Sequence, residues 1–178
     1  IFAFILGVVL GTVAAIKRGK AADTICMFIA LIGVSVPSFI MASLLQYYLG
    51  LQLGNVMRDA GMPALFATSN WGEWNTKVLP VLALGFGSLA QISRLTRTSM
   101  LDVLGQDYIK TARAKGLSQS AIIWRHALRN ALIPVITTVG AQLGILVSGS
   151  VVVETIFGMP GLGSLMMTAI NNKDFPII

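Results

Sequence analysis

Charge, cysteine and histidine are all scarce in this sequence. Only 11% of its 178 residues are charged and 55% are apolar, and it contains one Cys and one His. An ordinary soluble domain of this size needs a more highly charged surface, so the composition excludes that class. Cys26 lies alone in an apolar run, which excludes a disulfide framework and predicts a packed, inert thiol. His126 lies near two arginines and has no second imidazole, which argues against a metal site.

Groups that would carry catalysis or nucleotide binding are also missing. The sequence contains no G-x-x-x-x-G-K-[ST] motif, so it has no phosphate loop of that kind. It shows no convincing pair of nucleophile and base, which leaves a membrane-embedded hydrolase as a weak alternative. The basic residues lack interleaved aromatics that stack on bases, so we expect no nucleic-acid partner. We predict no catalytic residue, no metal ligand and no cofactor in this chain.

Long runs without a charged side chain are the most prominent feature that is present. A spanning helix needs about 20 mainly apolar residues, and a chain with several such runs is expected to have membrane lipid as its solvent. The chain also begins and ends in apolar sequence, so we expect at least one further span on each side. The predicted spans are about 1–16, 24–50, 78–93 and 130–153.

A fifth charge-free run, 155–172, is predicted not to span the membrane. Gly158, Pro160 and Gly161 interrupt it, and such residues free backbone groups that lipid cannot satisfy. We therefore predict an external loop with a short helix over 154–175.

Basic residues predict the orientation of the chain. Ten of the thirteen Lys and Arg residues lie either between 17 and 20 or in the segment 94–129. By the positive-inside rule both segments are cytoplasmic, which makes 51–77 an external loop. An ion-driven secondary transporter would need acidic residues deep in the spans. None occurs in the four predicted spans, so that alternative is the weaker one.

Polar or helix-breaking residues within the spans are candidates for a translocation path. Ser35 and Pro37 lie in the middle of the second span, where proline kinks or breaks a helix. Gln142 and Ser148 are polar positions in the fourth span, and helix packing is the alternative for them. Glu154 leaves two alternatives open: a structural hydrogen bond near the outer surface, or contact with substrate or a binding protein.

The cytoplasmic segment 94–129 is predicted to be helical, with charges opposite an apolar stripe. Asp107 is expected to cap a short helix over 108–115, and Gly116 to adopt the left-handed conformation after it. Ser118 is expected to cap a second helix that ends near residue 130. Helix, glycine turn and helix together form an element that could fit a groove on a soluble partner.

Three stretches of sequence carry a family resemblance: KTARAKG at 110–116, RHALRNALIP at 125–134 and GSVVVETIFGMPGLG at 149–163. They resemble the EAA loop and a later signature of ATP-binding cassette (ABC) importer permeases, most of all the dipeptide and oligopeptide family. Lys110, Thr111 and Arg129 depart from the general EAA pattern. The resemblance implies an all-α, polytopic integral membrane protein with the type I ABC importer permease fold. It implies one transmembrane permease domain over 1–178, with four full spans here and six in the intact chain.

The resemblance also implies a transport subunit that is not itself an enzyme. Two identical or related permeases would form one path for small peptides, and two ATPase subunits with ATP and Mg would dock on their cytoplasmic loops. An extracytoplasmic binding protein would deliver the substrate at the plasma or inner membrane of a prokaryote. Permeases for nickel or glutathione are alternatives of the same kind. The residues implied in ATPase coupling are Asp107, Tyr108, Lys110, Thr111, Ala112, Arg113, Ala114, Lys115, Gly116, Arg125 and Arg129.

Overall fold

The computed structural model describes residues 1–66, 72–147 and 151–176. Across these ranges the backbone forms helices and connecting turns without any β-strand, which confirms the all-α class. The helices are α1 (Phe2–Ile16), α2 (Ala21–Ser35), α3 (Ser38–Leu45), a π-helical segment (Gln46–Gln52), α4 (Leu53–Asp59), α5 (Trp74–Leu104), α6 (Asp107–Ala114), α7 (Gln119–Ala121), a second π-helical segment (Ile122–Ala127), α8 (Leu128–Val147), α9 (Val151–Phe157) and α10 (Leu162–Asn172).

One helix in the described ranges, α5, is long and apolar enough to cross a membrane alone. Two broken pairs reach that length when each pair is taken as a single span, and α1 is a shorter apolar helix. The four-span arrangement and its sidedness therefore stay predictions. The two pairs are α2 with the helical stretch Ser38–Asp59, and α9 with α10.

The chain divides into two compact units. The first consists of Ile1–Ser35 and Gly87–Leu143, and the second of Val36–Phe86 and Gly144–Ile178. The candidate coupling residues all lie in the first unit, and the candidate path residues are divided between the two.

In the first unit α1 packs closely against α5 through two buried glycines, Gly7 and Gly11. A methyl group at Gly7 would lie 2.8 Å from Ile92 Cγ2, and one at Gly11 would collide with the Ser93 carbonyl oxygen. Glycines four residues apart lie on one helix face and allow such an approach. The core beside this contact contains the buried residues Val8, Ile92 and Val135.

The second unit packs around α9. Gln46 Nε2 donates a hydrogen bond to the Ile156 carbonyl oxygen at 2.9 Å, which ties the first π-helical segment to α9. The buried core of this unit is Ala42, Leu79, Ala83, Val153 and Phe157.

The expected interruption at Pro37 is present. α2 ends at Ser35 and α3 begins at Ser38, with Pro37 in an extended conformation between them. Proline lacks an N–H and its ring clashes with the preceding turn, so the helix stops and restarts.

The predicted external loop 51–77 is partly helical. Helix continues to Asp59, and Gly54 lies buried within it, where a Cβ would be 3.7 Å from Ala64 Cβ. A Cβ at that distance would make an ordinary van der Waals contact, so Gly54 is helical despite the low helix propensity of glycine and without a clash that requires it. The turn comes at Gly61, whose φ of +73° suits glycine.

Two other helices are longer than predicted. The third predicted span, 78–93, lies within the single helix α5, because Pro80 falls near its start and no further proline follows in it. The second cytoplasmic helix does not end near residue 130, since helical structure runs on to Val147 with Pro134 inside α8. The short helix predicted in 154–175 is α10.

Candidate coupling surface and polar face

The candidate coupling element is α6 with the turn that follows it. One face of α6 is anchored, because Ile109 is fully buried and Ala112 is only 9% exposed. These two residues are three apart and so lie on the same helix face. They belong to one apolar core, which also contains Ala15, Met100, Ile122, Ile123, Ala127 and Ala131.

The burial of Ala112 changes one predicted role. The small side chain was expected to face an ATPase, but the structure places it on the inner face of α6, against the core of its own chain. The small size of Ala112 therefore lets α6 pack closely against this apolar core. The side chains of this element that stay exposed include Tyr108, Lys110, Thr111, Arg113, Ala114 and Lys115.

The start of α6 differs from the prediction. The N-cap residue is Gln106, without a side-chain cap, and Asp107 is already in the first turn. The Asp107 carboxylate instead accepts a hydrogen bond from Lys110 Nζ at 2.8 Å. A negatively charged side chain in the first turn still stabilises the helix through its interaction with the helix dipole. Acidic residues are therefore favoured here for a reason similar to that at an N-cap.

The end of α6 matches the prediction. Gly116 has φ +78°, the left-handed conformation that ends helices, and its N–H donates to the Arg113 carbonyl oxygen at 2.9 Å. Ser118 Oγ accepts from the Ala121 N–H at 3.3 Å and so caps the next helix. No atom of the described chain would lie within 4 Å of a Cβ on Gly116, so the space above the turn is open.

The exposed surface of this element and of the helical segments that follow it is strongly basic. Arg113, Lys115, Arg125 and Arg129 are exposed, and within the described ranges none of them forms an ion pair. Their charge is therefore available to a partner, and an acidic surface would complement it.

A side-chain hydrogen bond joins α6 to α8. Asn130 Nδ2 donates to Tyr108 Oη at 2.8 Å, and the same amide nitrogen donates to the His126 carbonyl oxygen at 3.2 Å. Sequence reasoning missed this contact, because the two residues are 22 apart and nothing local relates them.

A second connection ties the basic turn after α1 to α5. Arg97 Nε and Nη2 donate to the two Asp23 carboxylate oxygens at 2.6 and 2.8 Å. The Gly19 N–H also donates to Asp23 Oδ2 at 3.0 Å. Asp23 is 5% exposed and the Arg97 side chain is 25% exposed, so the two form a partly buried, bidentate ion pair. The sequence indicated Arg97 only as one basic residue among many.

The candidate path residues are divided between the two units. Ser35 and Pro37 are exposed beside the break after α2. Ser148 lies outside the described residues. Gln142 donates a hydrogen bond through Nε2 to Gln91 Oε1 of α5 at 2.6 Å, a partner that the sequence did not indicate. The path role of these residues stays a prediction.

Glu154 has a structural partner. Its Oε2 accepts a hydrogen bond from the Ser164 N–H at 2.9 Å, at the point where α9 and α10 meet at 92°. A methyl group on Gly161 would collide with the Glu154 carboxylate, so glycine is needed for this approach. The geometry supports the structural alternative for Glu154: its carboxylate caps the first turn of α10.

Replacing Glu154 tests that role. We expect Glu154→Ala to lower the free energy of unfolding of the intact protein by about 1 kcal/mol, because the cap is lost. Glu154→Gln should cost less, since its amide oxygen can still accept the bond. Thermal unfolding of the purified protein measures both effects, with exposed Glu73→Gln as the control. Unchanged unfolding together with lost transport would instead point to contact with substrate or a binding protein.

Comparison with known proteins extends the similarity beyond the three motifs. Residues 7–178 match the profile of the family described as binding-protein-dependent transport system inner membrane component. The chain is 44% identical over 178 residues to the dipeptide transport system permease protein DppB of Bacillus subtilis (strain 168), covering all of this chain and 54% of that protein. It is 39% identical over 174 residues to DppB of Lactococcus lactis subsp. cremoris (strain MG1363), covering 98% and 54%.

Similarity also extends to a permease with another printed substrate. The glutathione transport system permease protein GsiC of Escherichia coli (strain K12) is 40% identical over 178 residues, covering all of this chain and 55% of that protein. The chain thus spans about half the length of the curated relatives it matches. Because the similarity covers the whole chain, it confirms the resemblance carried by the motifs.

Proposed function

The chain belongs to the family of binding-protein-dependent transport system inner membrane components, and we propose that it forms part of the translocation path of an ABC importer for small peptides. Relatives named for dipeptide transport support the peptide assignment. A relative named for glutathione transport supports the alternative of a glutathione importer, and glutathione is itself a small peptide. The family and the apolar helices identify a membrane protein. We propose the plasma or inner membrane of a prokaryote as its location.

The observation that carries the proposal is the form of α6. Its inner face is fixed to the chain by Ile109 and Ala112. Arg113 and the adjoining Lys115 are exposed and have no ion-pair partner in the described ranges. A helix held in this way transmits an external push to its own subunit, because buried packing resists independent movement.

Contacts between α6 and α8 provide a route by which a movement of α6 can reach the predicted path. The Tyr108–Asn130 hydrogen bond and the shared core both join α6 to the beginning of α8. α8 contains Gln142, one of the candidate path residues. We propose that movement of α6 is passed to α8 and changes access to the path.

The partners follow from this division of labour. We propose two ATPase subunits that bind ATP and Mg and dock on α6, with acidic residues facing Arg113, Lys115, Arg125 and Arg129. Tyr108 is 43% exposed and Trp124 is 53% exposed. Tyr, Trp and Arg dominate binding energy at many protein interfaces, so these side chains suit a docking surface. We further propose a second related permease and an extracytoplasmic binding protein.

Substitution of Gly116 tests the docking surface. Gly116→Asn tolerates the left-handed backbone but adds bulk to the open side of the turn. We expect this variant to fold with nearly unchanged stability and to lose ATP-driven peptide uptake several-fold, because a partner can no longer approach the backbone. Uptake into proteoliposomes containing the intact transporter measures the effect.

Gly19 supplies the matched control. It also has a positive φ, +74°, and nothing within 4 Å of a Cβ position, and it lies in the other predicted cytoplasmic turn. Gly19→Asn should leave uptake unchanged. Full ATP-driven uptake by Gly116→Asn would refute the assignment of α6 and its turn as the coupling element.

A further inference from the structure

An open cleft of about 310 Å³ lies in the first unit, where α5 and α8 run side by side. Gln91, Arg94, Leu95 and Thr98 of α5 line it, and Thr138 of α8 closes its other side. The four α5 residues have the spacing of one helix face. The cleft is therefore lined mainly by polar side chains, with Leu95 as its one apolar lining residue.

A pair of amides lies beside this cleft, and one of them, Gln91, lines it. Gln142 Nε2 donates to Gln91 Oε1 at 2.6 Å, which fixes the two side chains against each other. One such bond leaves each amide with further donor and acceptor capacity. Both residues lie in predicted spans, where polar side chains normally face a cavity or the bundle interior and not lipid.

One residue that lines the cleft, Arg94, is positively charged. Arg97, one turn further along α5, is neutralised by Asp23. Arg94 is exposed and has no ion pair in the part of the chain that the structure describes. A guanidinium beside hydroxyl and amide groups is suited to a carboxylate, which it can bind through two parallel hydrogen bonds.

We propose that this cleft is a subsite of the translocation path that binds the carboxylate of a passing peptide, with Arg94 as its anion-binding group. Gln91 lies one turn from Arg94 on α5, where the free hydrogen-bonding capacity of its amide can pair with the peptide amide. The inference rests on the proposed function and adds a substrate-binding site to it. Mixed donors and acceptors fit a peptide better than a lipid phosphate, which offers only acceptors.

The test compares a peptide with its amidated form. The intact transporter is reconstituted in phosphatidylcholine liposomes, and ATP-driven uptake of dialanine and of dialanine amide is measured at limiting concentration. We expect Arg94→Gln to lower dialanine uptake roughly tenfold, the loss typical of one charge-assisted hydrogen-bonding group. Uptake of the amide should change less than twofold. Any preference of the binding protein cancels, because the same binding protein serves both variants.

Two further variants sharpen the comparison. Arg94→Lys keeps the positive charge but cannot bind a carboxylate through two parallel hydrogen bonds. We therefore expect its dialanine uptake to lie between that of Arg94→Gln and that of the wild type. Lys17→Gln removes a basic residue from the same predicted side but away from the cleft. It should leave the ratio of the two uptake rates as in the wild type.

The other outcomes overturn the inference in distinguishable ways. If Arg94→Gln lowers uptake of both peptides equally, the cleft does not recognise the carboxylate, although peptide import stands. If both losses appear only in liposomes that contain phosphatidylglycerol, the anion is a lipid headgroup. If the wild type imports neither peptide, the proposed peptide function fails and the subsite fails with it.

Discussion

The Asp23→Asn variant of the intact protein is expected to lose about 2 kcal/mol of unfolding free energy, between the values typical of breaking an exposed and a buried ion pair. The substitution leaves the Arg97 guanidinium with no opposing charge, and the Arg97 side chain is only 25% exposed. It also weakens the acceptor for the Gly19 N–H, which holds the basic turn after α1. Both effects loosen α1 and α2 from α5.

Thermal unfolding of the purified protein measures this loss, and a double variant makes the measurement specific. Arg97→Gln alone should be nearly as harmful, because it leaves Asp23 charged and buried. Asp23→Asn combined with Arg97→Gln should be more stable than either single variant, since no unpaired charge then remains.

Asp107→Asn serves as the control, because it breaks an exposed ion pair in which 94% of the Asp107 side chain is accessible. Exposed pairs contribute little, so its unfolding should stay close to the wild type. Additive losses in the double variant of Asp23 and Arg97 would contradict the assignment of an energetically coupled pair.

Local signals predicted the elements that depend on local chemistry. The break at Pro37, the left-handed Gly116 and the Ser118 cap all follow from the residue type at one position. The extent of the helices could not be predicted equally well. Gly54 lies buried inside a helix although glycine has a low helix propensity, and its burial depends on the tertiary arrangement.

At the candidate coupling surface, too, the sequence predicted the local features but not the tertiary contacts. The sequence identified α6 and its basic residues through composition and family resemblance. It did not indicate which face is buried, so Ala112 was expected on the partner side although it lies in the core. The contacts of Tyr108 with Asn130 and of Gln142 with Gln91 join residues distant in sequence. Such pairs depend on the tertiary arrangement, which periodicity alone does not contain.

The Ile109→Ala variant is expected to lose about 2–5 kcal/mol of unfolding free energy, the usual range for truncating a large buried aliphatic side chain. Ile109 is fully buried and belongs to the apolar core through which α6 packs on the rest of the first unit. Loss of this contact should leave the protein inserted in the membrane, because no charged group is created and no predicted span is changed. We therefore expect α6 to loosen locally before the whole chain unfolds.

Loosening of α6 separates a mechanical role from a merely structural one. If α6 transmits force, Ile109→Ala should lower the number of peptides imported per ATP hydrolysed, because the ATPase can move α6 without moving α8. Ile133→Ala is the matched control, since the same atoms are removed from a side chain of α8 that is 66% exposed. It should change neither unfolding nor the coupling ratio. A destabilised Ile109→Ala variant with a wild-type coupling ratio would show that packing of α6 is not needed for force transmission.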